Sequence, residues 1–365
     1  MDRGAVKVLD LIKQYGWSDV LVEAFAPHAR AGHVPGRIVA QHRDGYQVVT
    51  DQGELRAKAS GRLMHEAEEA DHPAVGDWVA LSLNATEAAT VHAVLPRRTA
   101  FVRRAADSVQ TLQVIAANID VAFVVTSLNA DLNPRRIERY LTAAWQSGAR
   151  PVVVLTKSDL ADDPQGQVDA IAALAAGCPV LTVSARQGQG LAALLAQVAA
   201  GETCVLIGSS GVGKSTLVNA FLGEERMATQ AIRETDDQGR HTTSHRQLVL
   251  LPGGGLILDT PGIREVGLID AEEGLGVVFD DIERLIQTCK FNDCGHVKEP
   301  GCAVRGALES GALDPARWAH FQKLGAELAA VQSKAERLAN DAERRRLAGL
   351  QKTYRATKRD ARGGD

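Results

Sequence analysis

Thr203-Cys204-Val205-Leu206-Ile207-Gly208-Ser209-Ser210-Gly211-Val212-Gly213-Lys214-Ser215-Thr216-Leu217-Val218 is the stretch from which the rest of the chain can be read. Residues 208–215 fit G-x-x-x-x-G-K-[ST], and they stand between an apolar β-rich run and a helical one, the context that gives this motif its meaning. Glycines let successive backbone N–H groups curl around phosphates, and the following helix N-terminus adds a partial positive charge. Lys214 can reach the β- and γ-phosphates, and the Ser215 hydroxyl can ligate Mg²⁺. The loop from Gly208 to Thr216 is therefore expected to bind a nucleotide; the plain alternative is a glycine-rich turn with no ligand.

Downstream, Asp259-Thr260-Pro261-Gly262 closes the apolar run Leu256-Ile257-Leu258. An acid at the end of such a strand is placed to hold Mg²⁺ through water, and the Gly262 amide can sense a γ-phosphate. Between them lies the polar stretch Gly239-Arg240-His241-Thr242-Thr243-Ser244, in which Thr242 or Thr243 can complete the metal shell. Upstream, Thr156-Lys157-Ser158-Asp159 closes the run Val152–Leu155, and Ser184-Ala185 closes Val180–Val183. A carboxylate at Asp159 can accept hydrogen bonds from both N1–H and the 2-amino group of guanine, a donor pair that adenine lacks. Lys157 can lie over the base, and Ser184-Ala185 can meet its O6. These are guanine-reading elements in an [NT]-K-x-D form, with Thr156 where asparagine is usual; fewer donors there lower the expected base affinity. They disfavour an ATPase or a small-molecule kinase.

The surrounding texture agrees. From Thr99 to Asp270, apolar runs (121–127, 151–157, 179–185, 203–209, 246–252, 255–260) alternate with helical stretches such as Pro134–Ser147 and Lys214–Leu222. Continuous apolar strands alternating with helices predict a mostly parallel sheet covered on both faces. Residues 36–98 carry five short strand-like runs with hairpin signals at Arg43-Asp44-Gly45 and Asp51-Gln52-Gly53. They predict a small closed barrel, of which an OB-fold is the commonest type and an SH3-like barrel the rival. The barrel reads either as a stabilising appendage or as a nucleic-acid contact surface, with Arg97, Arg98, Arg103 and Arg104 beside it as candidate phosphate partners. Residues 1–35 form an extension expected to hold one short amphipathic helix and then a loose connection.

Composition narrows the classes. The chain has 365 residues, 45% of them hydrophobic, too many for one small domain. No apolar run reaches the roughly 18–20 residues of a membrane span, and the N-terminus has no signal-peptide pattern. A soluble, cytoplasmic setting is expected, and nothing in the sequence demands more than a monomer. Cys178 and Cys204 sit in apolar contexts as core fillers. Cys289, Cys294, His296 and Cys302 instead form C-x4-C-x-H-x5-C, four N/S donors that suit a closed tetrahedral structural Zn²⁺ site. From Asp314-Pro315, an N-cap followed by proline, a long charged helix begins. The net charge of −4 is an average: residues 344–365 hold eight basic residues and two acids, a local +6 that leaves −10 for the remainder. Such a run is either a solvated face or an RNA contact.

The order of these elements departs from Ras-like GTPases, in which the guanine-reading motifs follow the D-x-x-G acid; here they precede the phosphate loop, a circular permutation. With a barrel before it and the cysteine cluster after it, the chain is similar to the bacterial ribosome small subunit-dependent GTPase A family (the RsgA/YjeQ type). The resemblance covers about residues 36–330 and rests on G-R-H-T-T at 239–243, D-T-P-G-I-R-E at 259–265, and the C-K-F-N-D-C-G-H and E-P-G-C-A-V stretches. It implies a multidomain chain: an N-terminal OB-fold-like barrel (36–98), a circularly permuted α/β P-loop GTPase domain (99–270), a mainly α zinc-binding domain (271–330) and a basic tail (331–365). It further implies a late-acting 30S assembly factor that binds GTP and GDP with Mg²⁺, contacts 16S rRNA, and hydrolyses GTP weakly until the 30S particle stimulates it. An RNA-binding module with a regulatory nucleotide clamp is the alternative. Ile263 stands where Ras-like enzymes carry the water-orienting glutamine, so His241 is the candidate for that role; its plain alternative is a solvent-exposed loop histidine.

Overall fold

Strand β1 (Val34–His42) organises the N-terminal half of the computed structural model. The structure describes residues 10–66, 71–83, 88–104, 112–129, 132–161, 163–175, 177–223, 246–259 and 272–329. β1 pairs antiparallel with both β2 (Gly45–Thr50) and β4 (Trp78–Ser82). β3 (Gly53–Ala59) follows β2 through a tight turn and runs parallel to β5 (Ala88–Val94), which returns to β4. The closed order β1-β2-β3-β5-β4-β1 is a five-stranded Greek-key barrel of the OB type, which settles the sequence ambiguity against the SH3-like alternative. Ile38, Val48, Val79, Leu81 and Val91 fill it and are fully buried.

The extension differs from expectation. Besides the short helix α1 (Asp10–Gln14), the stretch read as a loose connection is a second helix, α2 (Asp19–Arg30). Leu21 and Phe25 bury against the barrel, and Trp17 packs edge-on to both Phe25 and Trp78, at 5.9 and 4.9 Å. Helix α3 (Gly61–Glu66) lies after β3. A further hairpin, β6 (Ala100–Arg104) with β7 (Leu112–Ala117), stands between the barrel and the parallel sheet.

That sheet has the order β10-β9-β8-β11-β13-β12. Its strands are β8 (Val121–Ser127), β9 (Arg150–Thr156), β10 (Val180–Val183), β11 (Thr203–Ile207), β12 (Gln247–Leu250) and β13 (Leu256–Asp259). All neighbours are parallel except β12, which is antiparallel to β13 and touches β1 of the barrel at its other edge. β8 and β11 are buried throughout, as their unbroken apolar sequence requires. Helices α4 (Pro134–Gln146), α5 (Pro164–Leu174), α6 (Leu191–Leu195) and α7 (Lys214–Leu222) connect the strands. On one face Phe123 and Val125 of β8 pack against Leu217 and Phe221 of α7. The opposite face shares one apolar cluster with the barrel and with the C-terminal helices through Val124, Leu141, Phe279, Ile282 and Leu324.

The C-terminal part consists of α8 (Glu272–Val278), α9 (Asp280–Gln287), α10 (Ala303–Ser310) and α11 (315–329). Asp314 caps α11 as its sequence predicts, its carboxylate accepting from the Ala316 amide at 3.0 Å. Arg317 locks this part onto α4: it pairs with Asp281 at 2.8 Å, with the buried Glu138, and lies over the Phe279 ring. Arg37 does the same between barrel and sheet. Buried on β1, it donates to the carbonyls of Tyr15, Gly76 and Asn118 and, at 2.9 Å, to the hydroxyl of Thr203, the first residue of β11. Burial draws its pKa down to about 10, so it stays charged. The basic cluster beside the barrel is partly used up in the same way. Arg97 turns inward to Asp77 with two bonds of 2.8 Å, and Arg98 pairs with Asp120, so Arg97 is not a free phosphate partner.

Candidate nucleotide site and metal centre

Parallel pairing aligns the carboxyl ends of the strands into one edge: Ser127 lies opposite Thr156, Thr156 opposite Val183, and Ile207 one strand over from Val124. At such an edge, where connections diverge to the two faces, α/β folds bind ligands. Every described residue of the expected nucleotide site comes from this edge. The phosphate loop joins β11 to α7; Asp259 ends β13; Thr156, Lys157 and Asp159 follow β9; Ser184 and Ala185 follow β10. His241, Thr242, Thr243 and Gly262, like the basic tail, lie outside the described residues.

The loop's shape depends on its glycines. Gly208 has φ +155°, and a Cβ there would stand 2.2 Å from the Val125 carbonyl oxygen, so no side chain fits. Gly213, with φ +100°, turns the chain into α7. Lys214 arches back over the loop, its ammonium 2.7 and 2.5 Å from the carbonyls of Gly208 and Ser209, at the loop's mouth. Val212 is buried among Phe123, Val125 and Leu217 and anchors the loop, while Ser209, Ser210, Gly211, Ser215 and Thr216 remain at least partly accessible.

The strand ends expected to read guanine lie beside the loop, and that of β9 reaches it directly. The Thr156 hydroxyl is 2.5 Å from the Val212 carbonyl and 3.1 Å from that of Thr126 at the end of β8. Lys157, in a left-handed conformation with φ +57°, donates from Nζ to the Gly211 carbonyl at 2.9 Å. Asp159 sits half-buried in the single 3-10 turn Ser158–Leu160. Ser184, fully buried, starts a turn closed by bonds to Gln189 in both directions, and its hydroxyl accepts from the Gln187 amide at 3.2 Å.

The four expected metal ligands converge. All their ligand atoms lie within 4.8 Å of one another. The His296 Nδ1 is 3.6 Å from Cys289 Sγ and 3.5 Å from Cys302 Sγ, and those two sulfurs are 3.9 Å apart. Zn–S bonds of about 2.3 Å and Zn–N bonds of about 2.0–2.1 Å at tetrahedral angles give edges of about 3.8 and 3.6 Å, so the donor set fits a tetrahedral ion. Burial raises the Cys289 thiol, but the amides of Val304 and Ala303 outweigh it and hold its pKa below the usual range. Burial dominates at the other two cysteines: partly buried Cys178 is pushed up to about 11 and buried Cys204 higher still, as suits unreactive thiols.

One residue of this knuckle, the first of the E-P-G-C-A-V stretch, has no role assigned to it from the sequence. Glu299 accepts from the amides of Gly295, Val297 and Lys298 at 3.1, 2.9 and 2.9 Å, and its own backbone amide first, then these donors, hold its pKa down to about 2. It thereby clasps the turn that presents His296, whose ring lies edge-on to Trp318 at 5.6 Å.

Comparison with known proteins follows the same lines. Residues 94–269 match the family model described as RsgA GTPase. The chain is 44% identical over 359 residues to the small ribosomal subunit biogenesis GTPase RsgA of Opitutus terrae, covering 95% of this chain and 98% of that one. It superposes on the crystal structure of YjeQ from Thermotoga maritima with a TM-score of 0.60 and 26% identity, covering 81% of this chain and 99% of that chain. A second solved structure, YloQ, described as a circularly permuted GTPase, matches with a TM-score of 0.59 at 24% identity, covering 83% of this chain and 96% of that chain.

Proposed function

The chain belongs to the RsgA GTPase family, and from that premise we propose that it hydrolyses GTP as a biogenesis factor of the small (30S) ribosomal subunit. The observation that carries this reading is the single sheet edge on which the phosphate loop, Thr156–Asp159, Ser184-Ala185 and Asp259 meet in permuted order. Asp159 accepts from the guanine N1–H and 2-amino groups, Lys157 covers the base, and Ser184 with Ala185 faces O6. The loop amides from Ser209 to Thr216 and the Lys214 ammonium hold the β- and γ-phosphates. Ser215, Asp259 and Thr242 or Thr243 are the residues that would hold Mg²⁺, which neutralises charge on the phosphates when bound; Gly262 senses the γ-phosphate. His241 positions the attacking water in place of the glutamine that Ile263 displaces.

The Cys289, Cys294, His296 and Cys302 set holds one structural zinc ion, since four protein donors leave no open position for catalysis. Residues 344–365 contact 16S rRNA, the protein acts in the cytoplasm as a monomer, and hydrolysis releases it from the particle. Phosphate release measured with added 30S, 50S and 70S particles tests the reading: 30S stimulates, and an unchanged rate with 30S would overturn it. In the same assay His241→Ala removes the stimulated rate while GTP binding persists; full stimulated turnover in that variant would dismiss the assignment.

A further inference from the structure

Helices place Cys289 and Cys302 of the knuckle, but not Cys294 and His296. Cys289 follows the last turn of α9, its amide donating to the Ile286 carbonyl at 3.1 Å, and Cys302 caps α10, its sulfur accepting from the Arg305 amide at 3.4 Å. His296 lies in a stretch with neither helix nor strand, and its neighbour Val297 is 68% exposed, so apolar packing does not hold this turn. Its backbone has φ +59°, a left-handed shape that a residue other than glycine keeps only where its surroundings impose it. Glu299 imposes it. Oε1 accepts from the Gly295 amide and Oε2 from those of Val297 and Lys298; among the described residues no backbone carbonyl takes any of the three. Amides turned inward in this way make a concave anion site, and here the chain fills it with its own carboxylate. The fit is close, since a Cβ on Gly295 would stand 3.0 Å from Oε1.

From this arrangement we infer that Glu299 is a positioning residue of the metal centre, fixing the turn that holds the His296 imidazole beside Cys289 and Cys302. It acts through the backbone of the turn and not on the ion. Three amides converging on two oxygens need an acceptor at both atoms and favour a negative charge. A glutamine of nearly the same size offers one oxygen and turns an NH₂ donor toward amides that need an acceptor. Charge and acceptor capacity, rather than bulk, are what the turn requires. Trp318, edge-on to the ring at 5.6 Å, steadies the plane of the imidazole from α11 but not the backbone that carries it. The inference rests on the zinc reading proposed above and on nothing at the nucleotide site.

The test is a Zn²⁺ affinity, read by competition with a chromophoric chelator on the full-length protein. It compares wild type, Glu299→Gln, His296→Ala and the double variant Glu299→Gln/His296→Ala. Losing a partner that orients a metal ligand typically costs about 10- to 100-fold in affinity, and Glu299→Gln weakens zinc binding by such a factor. Glu299→Asp, which keeps the charge on a shorter arm, recovers part of the loss, and Gly295→Ala, which crowds Oε1, gives a smaller loss of the same kind. Once His296 is replaced, Glu299→Gln adds nothing, because the ligand it positions is gone. GTP affinity is the control and stays unchanged. Wild-type zinc affinity in Glu299→Gln overturns the assignment while the zinc site stands. So does a Glu299→Gln loss that persists in full in the His296→Ala background, which makes Glu299 a general support of the knuckle. If Glu299→Gln does not fold, the milder Gly295→Ala decides, and wild-type affinity there overturns the assignment. A wild type that holds Zn²⁺ no more tightly than Cys289→Ser/Cys302→Ser overturns the zinc reading itself, and the role of Glu299 with it.

Discussion

The phosphate loop and the cysteine knuckle both hold a turn in one shape, by opposite means. The loop hangs between β11, buried along its whole length, and α7, and the backbone of β8 presses on Gly208 from beneath. The knuckle has little apolar support of its own. Phe291 and Val297 are exposed, and residues 289–302 converge on three sulfurs and an imidazole. A loop cast against a core is formed before its ligand arrives; a loop cast around donor atoms owes its shape to the ion they bind.

The largest effect expected from this contrast is that of metal removal. Zinc in small sites contributes about 10–16 kcal/mol to folding, so a strong chelator should expose residues 289–302 to hydrogen exchange while GTP still binds. Full protection of the knuckle after chelation would break the comparison. Next comes Lys214→Ala. Charge-assisted bonds are worth about 1.5–3 kcal/mol, which predicts nucleotide affinity roughly ten- to a hundredfold lower with no change in melting temperature. Gly208→Ala sharpens the contrast, because it should cost the sheet itself about 1–3 kcal/mol of strain, visible as a lower melting temperature even without nucleotide. Thr156→Ala is the smallest of these. It leaves the Val212 carbonyl without its partner and should cost about 1 kcal/mol, read as a several-fold rise in the GTP dissociation constant that Thr156→Asn reverses.

Much of this was legible in the residues. The strand runs of the parallel sheet appear within a residue or two of their expected places, because a strand buried on both faces must be apolar throughout. The convergence of Cys289, Cys294, His296 and Cys302 into a cluster that could hold a metal was legible too, since their spacing is short and their chemistry narrow. Helix α2 was not. Pro27 reads as a helix stop, and a 12-residue helix has little stability alone; Leu21, Phe25 and Trp17 form it by burying against the barrel. Arg97 and Arg37 were equally opaque, for a basic side chain looks the same in sequence whether it meets solvent or, as here, a buried aspartate or a ring of carbonyls.

The sequence by itself determined which chemistry to expect: a phosphate loop, a candidate guanine reader, their permuted order, and four N/S donors at ligand spacing. Each depends on residue types within a few positions of one another, so local spacing carries the information. Tertiary structure alone decided how the parts are joined. The pairing of β1 with β4 closes the barrel, Arg37 ties it to the first residue of β11, Thr156 links the end of β9 to the phosphate loop, and Arg317 docks the C-terminal helices on α4. Those contacts bring together residues far apart in the chain, and their energy comes from burying charge and hydrogen bonds among partners that only the folded molecule supplies.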